Sequence, residues 1–405
     1  MNRAGRIALG LAALALTGVG AWRLFAGDDA PPPTPQKPAP RYEPDPDDRP
    51  RVRESLITGL PPQTPQSLPA GRVEERWHAS NKAGIQALDA GEYDRAVQLF
   101  EDCRAANPDE KVFAQNLAEA LARAASRELD AGSAEARQAA LLKLRRAHEL
   151  APERADIAAR LAQVEKLAES EQGLWTDTSE HFELAYDGER RELLWSAAQI
   201  TTELEAAYQD LGERFARWPV ENGRPRIRVV LYRRAGFLDA TGIGHWAGGL
   251  YDGTIRVPVE ELGREKREFE RVLRHETVHA FVAEAGGRGV PGWLNEGLAQ
   301  WLERRDAAER ERTVGAARRV LKGKAFLPLT ELEKSFASLK DEEKIGRAYQ
   351  QSLALVDHIE RNFGERLLYE LVAGCREGRA PSATFETRTA RPLDLVLADL
   401  GRELE

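Results

Sequence analysis

Cysteine is almost missing. Cys103 and Cys375 are the only two in 405 residues, which excludes a disulfide framework and any cysteine-rich zinc or iron–sulfur module. An excess of basic charge is missing too. Against 66 Asp and Glu stand 58 Lys and Arg, a net charge of −8, so no global positive field attracts nucleic acid. Histidine is scarce at seven, so two of them falling four residues apart carry weight. What is present, 42% hydrophobic and 31% charged side chains, is globular in balance. At about 100–200 residues per domain, the length predicts two or three units.

Arg3 and Arg6 precede an uncharged run, Ile7 to Trp22, that ends at Arg23. A basic start followed by an apolar stretch is an export pattern. The run is rich in Ala and Gly and shorter than the ~20 residues that span a bilayer comfortably. Residues 1–26 therefore read as a signal peptide, with small residues at Val19, Ala21 or Ala26 for cleavage, or as a retained N-terminal membrane anchor. No cysteine lies nearby to carry a lipid. Between Pro31 and Pro69 stand 13 of the 22 prolines, so 27–72 reads as a disordered linker. Together these segments place the folded part in the bacterial cell envelope, periplasmic or otherwise extracytoplasmic, touching the membrane only through the N-terminal segment.

Residues 73–172 have helical periodicity. Trp77, Ala83, Gly84, Ala87 and Leu88 mark one helix; Ala96, Leu99, Phe100 and Cys103 mark a second that stops before Pro108. The pattern Gly84, Gly91, Tyr93, Ala96, Phe100, Pro108 resembles a tetratricopeptide repeat. A degenerate second copy starts near Lys111, with Leu117, Ala118 and Leu121, and continues after an insertion around Asp130–Glu135 with Ala140, Leu144 and Ala147. A helix from Ile157 to Leu167 caps the stack. Such a solenoid either holds a peptide or protein partner or serves as a spacer. Cys103, at a packed position, reads as a buried thiol.

From Leu174 the pattern changes. His181–Tyr186 alternates like a strand, Arg190–Phe215 is a long amphipathic helix, and Ile227–Tyr232 reads as a central strand. A Gly-rich segment, Thr241–Gly253, leads into another strand, Thr254–Val259. The order suggests an α+β layer over 174–405.

The decisive string is HETVH, His275 to His279, within a helical stretch. Positions four apart lie on one helix face, with Cβ atoms about 5–6 Å apart, so both imidazoles can reach one ion. Glu276 points to the side of that pair, where it can hold a water rather than the metal. This is the HExxH arrangement of zinc peptidases. Pro291-Gly292-Trp293-Leu294-Asn295-Glu296-Gly297-Leu298-Ala299 follows and reads as a helix with one carboxylate on its inner side. His2Glu is an established catalytic zinc set.

HExxH with a glutamate on the next helix resembles the gluzincins, the thermolysin-like zinc peptidases. WLNEGLA is similar to the third-ligand segment of the aminopeptidase N family, and the combination looks most like the peptidase-MA-like domains over about 176–380. The resemblance implies an all-α tetratricopeptide-like solenoid followed by an α+β zincin-like metallopeptidase domain. It implies one Zn2+ on His275, His279 and Glu296, Glu276 as catalytic base, and a peptide or protein substrate. Tyr349 matches the place where related gluzincins carry a tyrosine that donates to the oxyanion; a buried structural tyrosine is the alternative, and His358 is the other candidate donor. Gln300, one turn beyond Glu296, is a candidate acceptor for a ligand histidine's second nitrogen. Two departures limit the transfer. Only 16 residues separate His279 from Glu296, fewer than in aminopeptidase N relatives. Their GAMEN segment is replaced by His245–Gly253, so aminopeptidase specificity is not carried over. By chain order this segment is either an edge strand bordering a cleft, able to pair with an extended peptide, or a plain Gly-rich hairpin.

Trp293 and Trp301 read as packing residues, the run Glu303–Arg312 as a solvated helix face. His78, His148, His181 and His245 lack ligand spacing, and pairing of Cys103 with Cys375 stays open. The chain thus reads as an exported zinc metallopeptidase. Two alternatives remain: an inactive peptidase-like scaffold or binding protein of the envelope, and a zinc hydrolase of non-peptide amides.

Overall fold

The computed structural model describes residues 70–130, 134–221, 224–241, 249–259, 266–334, 336 and 341–405. The export segment, nearly all of the proline-rich linker, residues 131–133 of the expected insertion, and His245 to Gly248 lie outside the described residues. No helix among the described residues is long and apolar enough to cross a membrane. The chain divides into two compact units between Trp175 and Thr176.

Up to Ser170 the regular elements of the first unit's described part are helices: α1 (Ala70–Asp89), α2 (Tyr93–Ala106), α3 (Lys111–Asp130), α4 (Ala134–Leu150) and α5 (Ala155–Ser170). Each packs against the next in sequence. Small and bulky side chains interlock between them: Ala87, Ala96, Phe100, Leu117, Ala118, Leu121, Ala147 and Ile157 form one buried cluster. Ala140, Leu144, Leu161 and Val164 join a second. The helices end where prolines stand two residues on, α2 before Pro108 and α4 before Pro152, because proline lacks the N–H to continue the ladder. The Cys103 thiol is buried and free, 3.7 Å from the Trp77 carbonyl, and burial raises its pKa.

The second unit holds a five-stranded sheet and the remaining helices. In chain order it runs β1 (Trp175–Thr178), β2 (Phe182–Tyr186), α6 (Arg191–Phe215), β3 (Ile227–Tyr232), α7 (Arg234–Thr241), β4 (Leu250–Tyr251) and β5 (Thr254–Pro258). Then follow α8 (Lys266–Gly286), α9 (Gly292–Leu302), α10 (Ala307–Leu321), α11 (Leu329–Leu332), α12 (Glu342–Phe363), α13 (Glu365–Arg376), α14 (Pro381–Thr389) and α15 (Leu393–Glu403). Strand order is β1-β2-β3-β5-β4. The sheet is mixed, with a parallel centre: β2 pairs with β3 and β3 with β5 in parallel, and β4 runs antiparallel to β5. Parallel pairing requires a crossover, and α6 supplies it between β2 and β3. All six residues of β3 are buried, as a central strand needs, and the register sets Glu183 beside Arg228, which ion-pair. Helix α6 buries Leu193, Ala197, Ile200, Leu204, Ala207 and Leu211 and packs on α8, the expected apolar face. α8 is buried on nearly all sides, from Phe269 and Val272 to Val278, Phe281 and Val282. The site helix therefore sits inside the unit, under α6 and beside the sheet edge β4.

Candidate metal centre

One turn of α8 carries both histidines. Their ring centroids lie 4.9 Å apart at 84°, and both side chains turn the same way. α9 follows after a short turn and brings Glu296 to them: Glu296 Oε2 lies 3.7 Å from His275 Nε2 and 3.6 Å from His279 Nε2. One ligand atom from each of the three falls within 4.8 Å of the others, and no other such group of three occurs among the described residues. A tetrahedral zinc at about 2.0–2.1 Å from its ligands holds them about 3.3–3.4 Å apart, so these residues fit the ion. Arg274, one residue before His275 on α8, donates from Nε to the Leu302 carbonyl at 2.6 Å and pairs with Asp210, tying α8 to α9 and α6.

The opposite ring nitrogens are also engaged. His275 Nδ1 lies 2.8 Å from Glu303 Oε2, and His279 Nδ1 lies 2.9 Å from Asn295 Oδ1. An acceptor at Nδ1 fixes the ring and leaves Nε2 free to bind a metal. These roles fall to Glu303 and Asn295, not to Gln300. Gln300 Nε2 instead donates to the carbonyls of Glu296, at 3.2 Å, and Tyr349, at 3.0 Å. Glu303 also departs from the expected solvated face. It is buried, and pairs with Arg271 Nη1 at 2.7 Å and with Arg304, whereas Arg305 to Glu309 beyond it are exposed. The signal was its spacing: seven residues, two turns, beyond Glu296 on the same face. Replacing Glu303 by Gln keeps the shape and removes the charge. The expected result is zinc affinity about 10–100-fold weaker, measured by competition with a chromogenic chelator.

Electrostatically the pocket calls for a cation. Burial disfavours charge on His275, but the carboxylates of Glu296, Glu303 and Glu276 outweigh it, raising its pKa to about 10. Burial pushes Glu276 up to about 8, with Glu296 and Glu303 adding to it and His275 opposing. Burial lowers His279. Burial also works to raise Glu296 and Glu303, yet His279 and His275 hold the first below the usual carboxylate range, and His275 and Arg271 the second.

Tyr349 joins this group. α9 crosses α12 closely at Gly297, where a β-carbon would stand 2.6 Å from Val356 Cγ2 and 2.7 Å from the Ser352 carbonyl oxygen. That contact needs glycine, and it sets Tyr349 near Glu296, whose charge acts on the phenol. Burial, then the charges of Glu296 and Glu276, push the Tyr349 pKa far up, so the phenol keeps its proton and remains a donor. Its ring packs edge-on to Phe336 at 5.2 Å. His358 has gone elsewhere: its Nδ1 lies 3.5 Å from Glu403 on α15. Trp293 and Trp301 are buried packing residues, as expected. His181 binds Glu205 through Nδ1 at 2.6 Å and stacks on Tyr208. Cys375 is buried and free, so neither thiol is in a disulfide, and burial pushes it up to about 11.

No protein-family model matches the chain, and no curated protein matches it. The case for chemistry therefore stands on the geometry above.

Proposed function

We propose that the chain is an exported or membrane-tethered zinc metallopeptidase of gluzincin type, hydrolysing peptide bonds through a metal-activated water. The observation that carries this reading is the convergence of His275 Nε2, His279 Nε2 and Glu296 Oε2, with Glu276 adjacent on the same helix. A zinc ion bound there supplies Lewis acidity, polarising a carbonyl and lowering the pKa of water toward ~7.

The protein's own groups do the rest. Glu276 is buried and has a raised affinity for protons, which suits it to take one from water and pass it to the leaving amine. The Tyr349 hydroxyl donates toward the carbonyl oxygen as negative charge develops on it. Glu303 and Asn295 keep the two imidazoles oriented. The edge strand β4 borders α8, so an extended peptide has a backbone edge to pair with beside the base. The α1–α5 helices, with Phe100 and small residues at their contacts, fit the tetratricopeptide-like reading and would recruit substrate or a partner protein. The segment Ile7–Trp22 and the proline-rich tether support a place in the bacterial envelope.

The test is cleavage of fluorescent casein by the zinc-loaded full chain, native against Glu276→Gln. Cleavage by the native chain alone supports the proposal; equal cleavage excludes Glu276 as the base, and none by either favours a non-peptide substrate or a binding scaffold. Tyr349→Phe removes one donor and little volume. It is expected to lower kcat about 10²–10³-fold while leaving zinc content near that of the native chain.

A further inference from the structure

Position 249, just before β4, has no side chain, and the reason lies across the site. A β-carbon there would stand 2.6 Å from Glu276 Oε1, 2.8 Å from its Cγ and 2.9 Å from its Cδ. Carbon contacts are comfortable at about 3.5–4.0 Å, so all three separations are prohibitive. The backbone itself makes no such demand. Gly249 is outside the left-handed region, which other glycines of this chain such as Gly253 occupy. What the glycine provides is room for one carboxylate.

Among the described residues none hydrogen-bonds to the Glu276 carboxylate, and the Gly249 main chain stands against it. α8 and the hairpin that begins one residue after Gly249 are both held in place. α8 is fixed by the Arg274 ties and the Glu303 network. The β4–β5 hairpin is closed by its register, Tyr251 opposite Ile255, and by the Thr254 N–H donating to Asp252 Oδ1 at 3.2 Å. A methyl group at 249 must therefore move the Glu276 side chain, whose displacement costs the fold little and the site much.

We infer that Gly249 is a positioning residue for Glu276: its missing side chain holds open the place from which that carboxylate faces the metal site. This rests on the metallopeptidase reading, in which Glu276 is the base. A displacement of about 1 Å from productive geometry can cost ~100-fold in rate. The three atoms nearest to the added carbon all belong to Glu276, so the methyl acts first on that side chain.

The test uses the full-length, zinc-loaded chain and acetohydroxamate, which chelates a metal through two oxygens and gives its hydroxyl proton to a neighbouring carboxylate. Zinc content and acetohydroxamate affinity are measured for the native chain, Gly249→Ala, Glu276→Ala and the double variant. Gly236→Ala serves as control, since nothing lies within 4 Å of a β-carbon there. Expected are unchanged zinc in every protein and acetohydroxamate binding at least ~10-fold weaker in Gly249→Ala. Adding Gly249→Ala to Glu276→Ala should then cause no further loss, the non-additivity of two groups acting through one contact. Native-like affinity in Gly249→Ala overturns the inference. So does loss of zinc in that variant, which makes the glycine structural, and so does an equal further loss in the double variant, which makes the methyl a simple block. Zinc missing from the native chain is a different failure, because it removes the metal centre itself.

Discussion

Glu276→Gln is expected to reduce peptide hydrolysis by about three to four orders of magnitude while the protein stays folded and keeps its zinc. The amide is nearly isosteric with the carboxylate but cannot accept the water proton at any ordinary pH, and general-base catalysis is worth about 10²–10⁴-fold. The loss should sit at the upper end, because the same group both accepts the proton and returns it to the leaving amine. Burial reinforces this: Glu276 is 4% exposed, so bulk water has poor access to take over the transfer. The fold should tolerate the change, since no described residue hydrogen-bonds to that carboxylate. The check is a pair of measurements on one preparation, kcat/KM and zinc per chain. Unchanged hydrolysis excludes Glu276 as the base.

His279→Ala is expected to have the largest effect on the metal. The three ligands come from two helices, and His279 is one of two that α8 contributes. Its loss leaves one imidazole and one carboxylate, and Asn295 loses the partner it now binds at 2.9 Å. A ligand that binds only the folded state stabilises it by RT ln(1 + [L]/Kd), about 4 kcal/mol at a thousandfold excess over Kd. Zinc should accordingly raise the Tm of the native chain and leave that of His279→Ala nearly unchanged. Each protein is read against its own metal-free melting curve, because His279 is buried and its loss also lowers the Tm without metal. An equal zinc-dependent rise in both proteins would remove His279 from the ligand set.

How much of this was legible in the sequence depends on the range of each interaction. The His275–His279 pair is a property of one helix turn, and spacing alone placed it. α9 was legible from the Pro-Gly turn and the apolar pattern around Trp293, Leu294 and Leu298. Glu296 was legible as an inward carboxylate, and Tyr349 as a candidate only through the resemblance to gluzincins. Glu303 carried one signal, its two-turn spacing from Glu296, but it stands at the head of a charged run and its burial depends on Arg271, a turn before His275 on another helix. Gln300 failed in the opposite way. Its spacing suited a partner for a ligand histidine, but the close crossing at Gly297 brings the Tyr349 carbonyl within its reach instead. In the sheet, the strands were visible as strands, yet their parallel centre follows from which way α6 leads the chain back, a matter of packing rather than of local pattern. The pairing of Gly249 with Glu276 joins residues distant in sequence and shows only in the folded chain.

The most direct measurement is the metal content of the full-length native chain after exposure to zinc and exhaustive dialysis against metal-free buffer. The account requires close to one zinc per chain, with Glu276→Gln equal to native and Glu296→Ala nearly empty. A native chain that emerges without zinc, or a Glu296→Ala chain that retains as much as native, contradicts it.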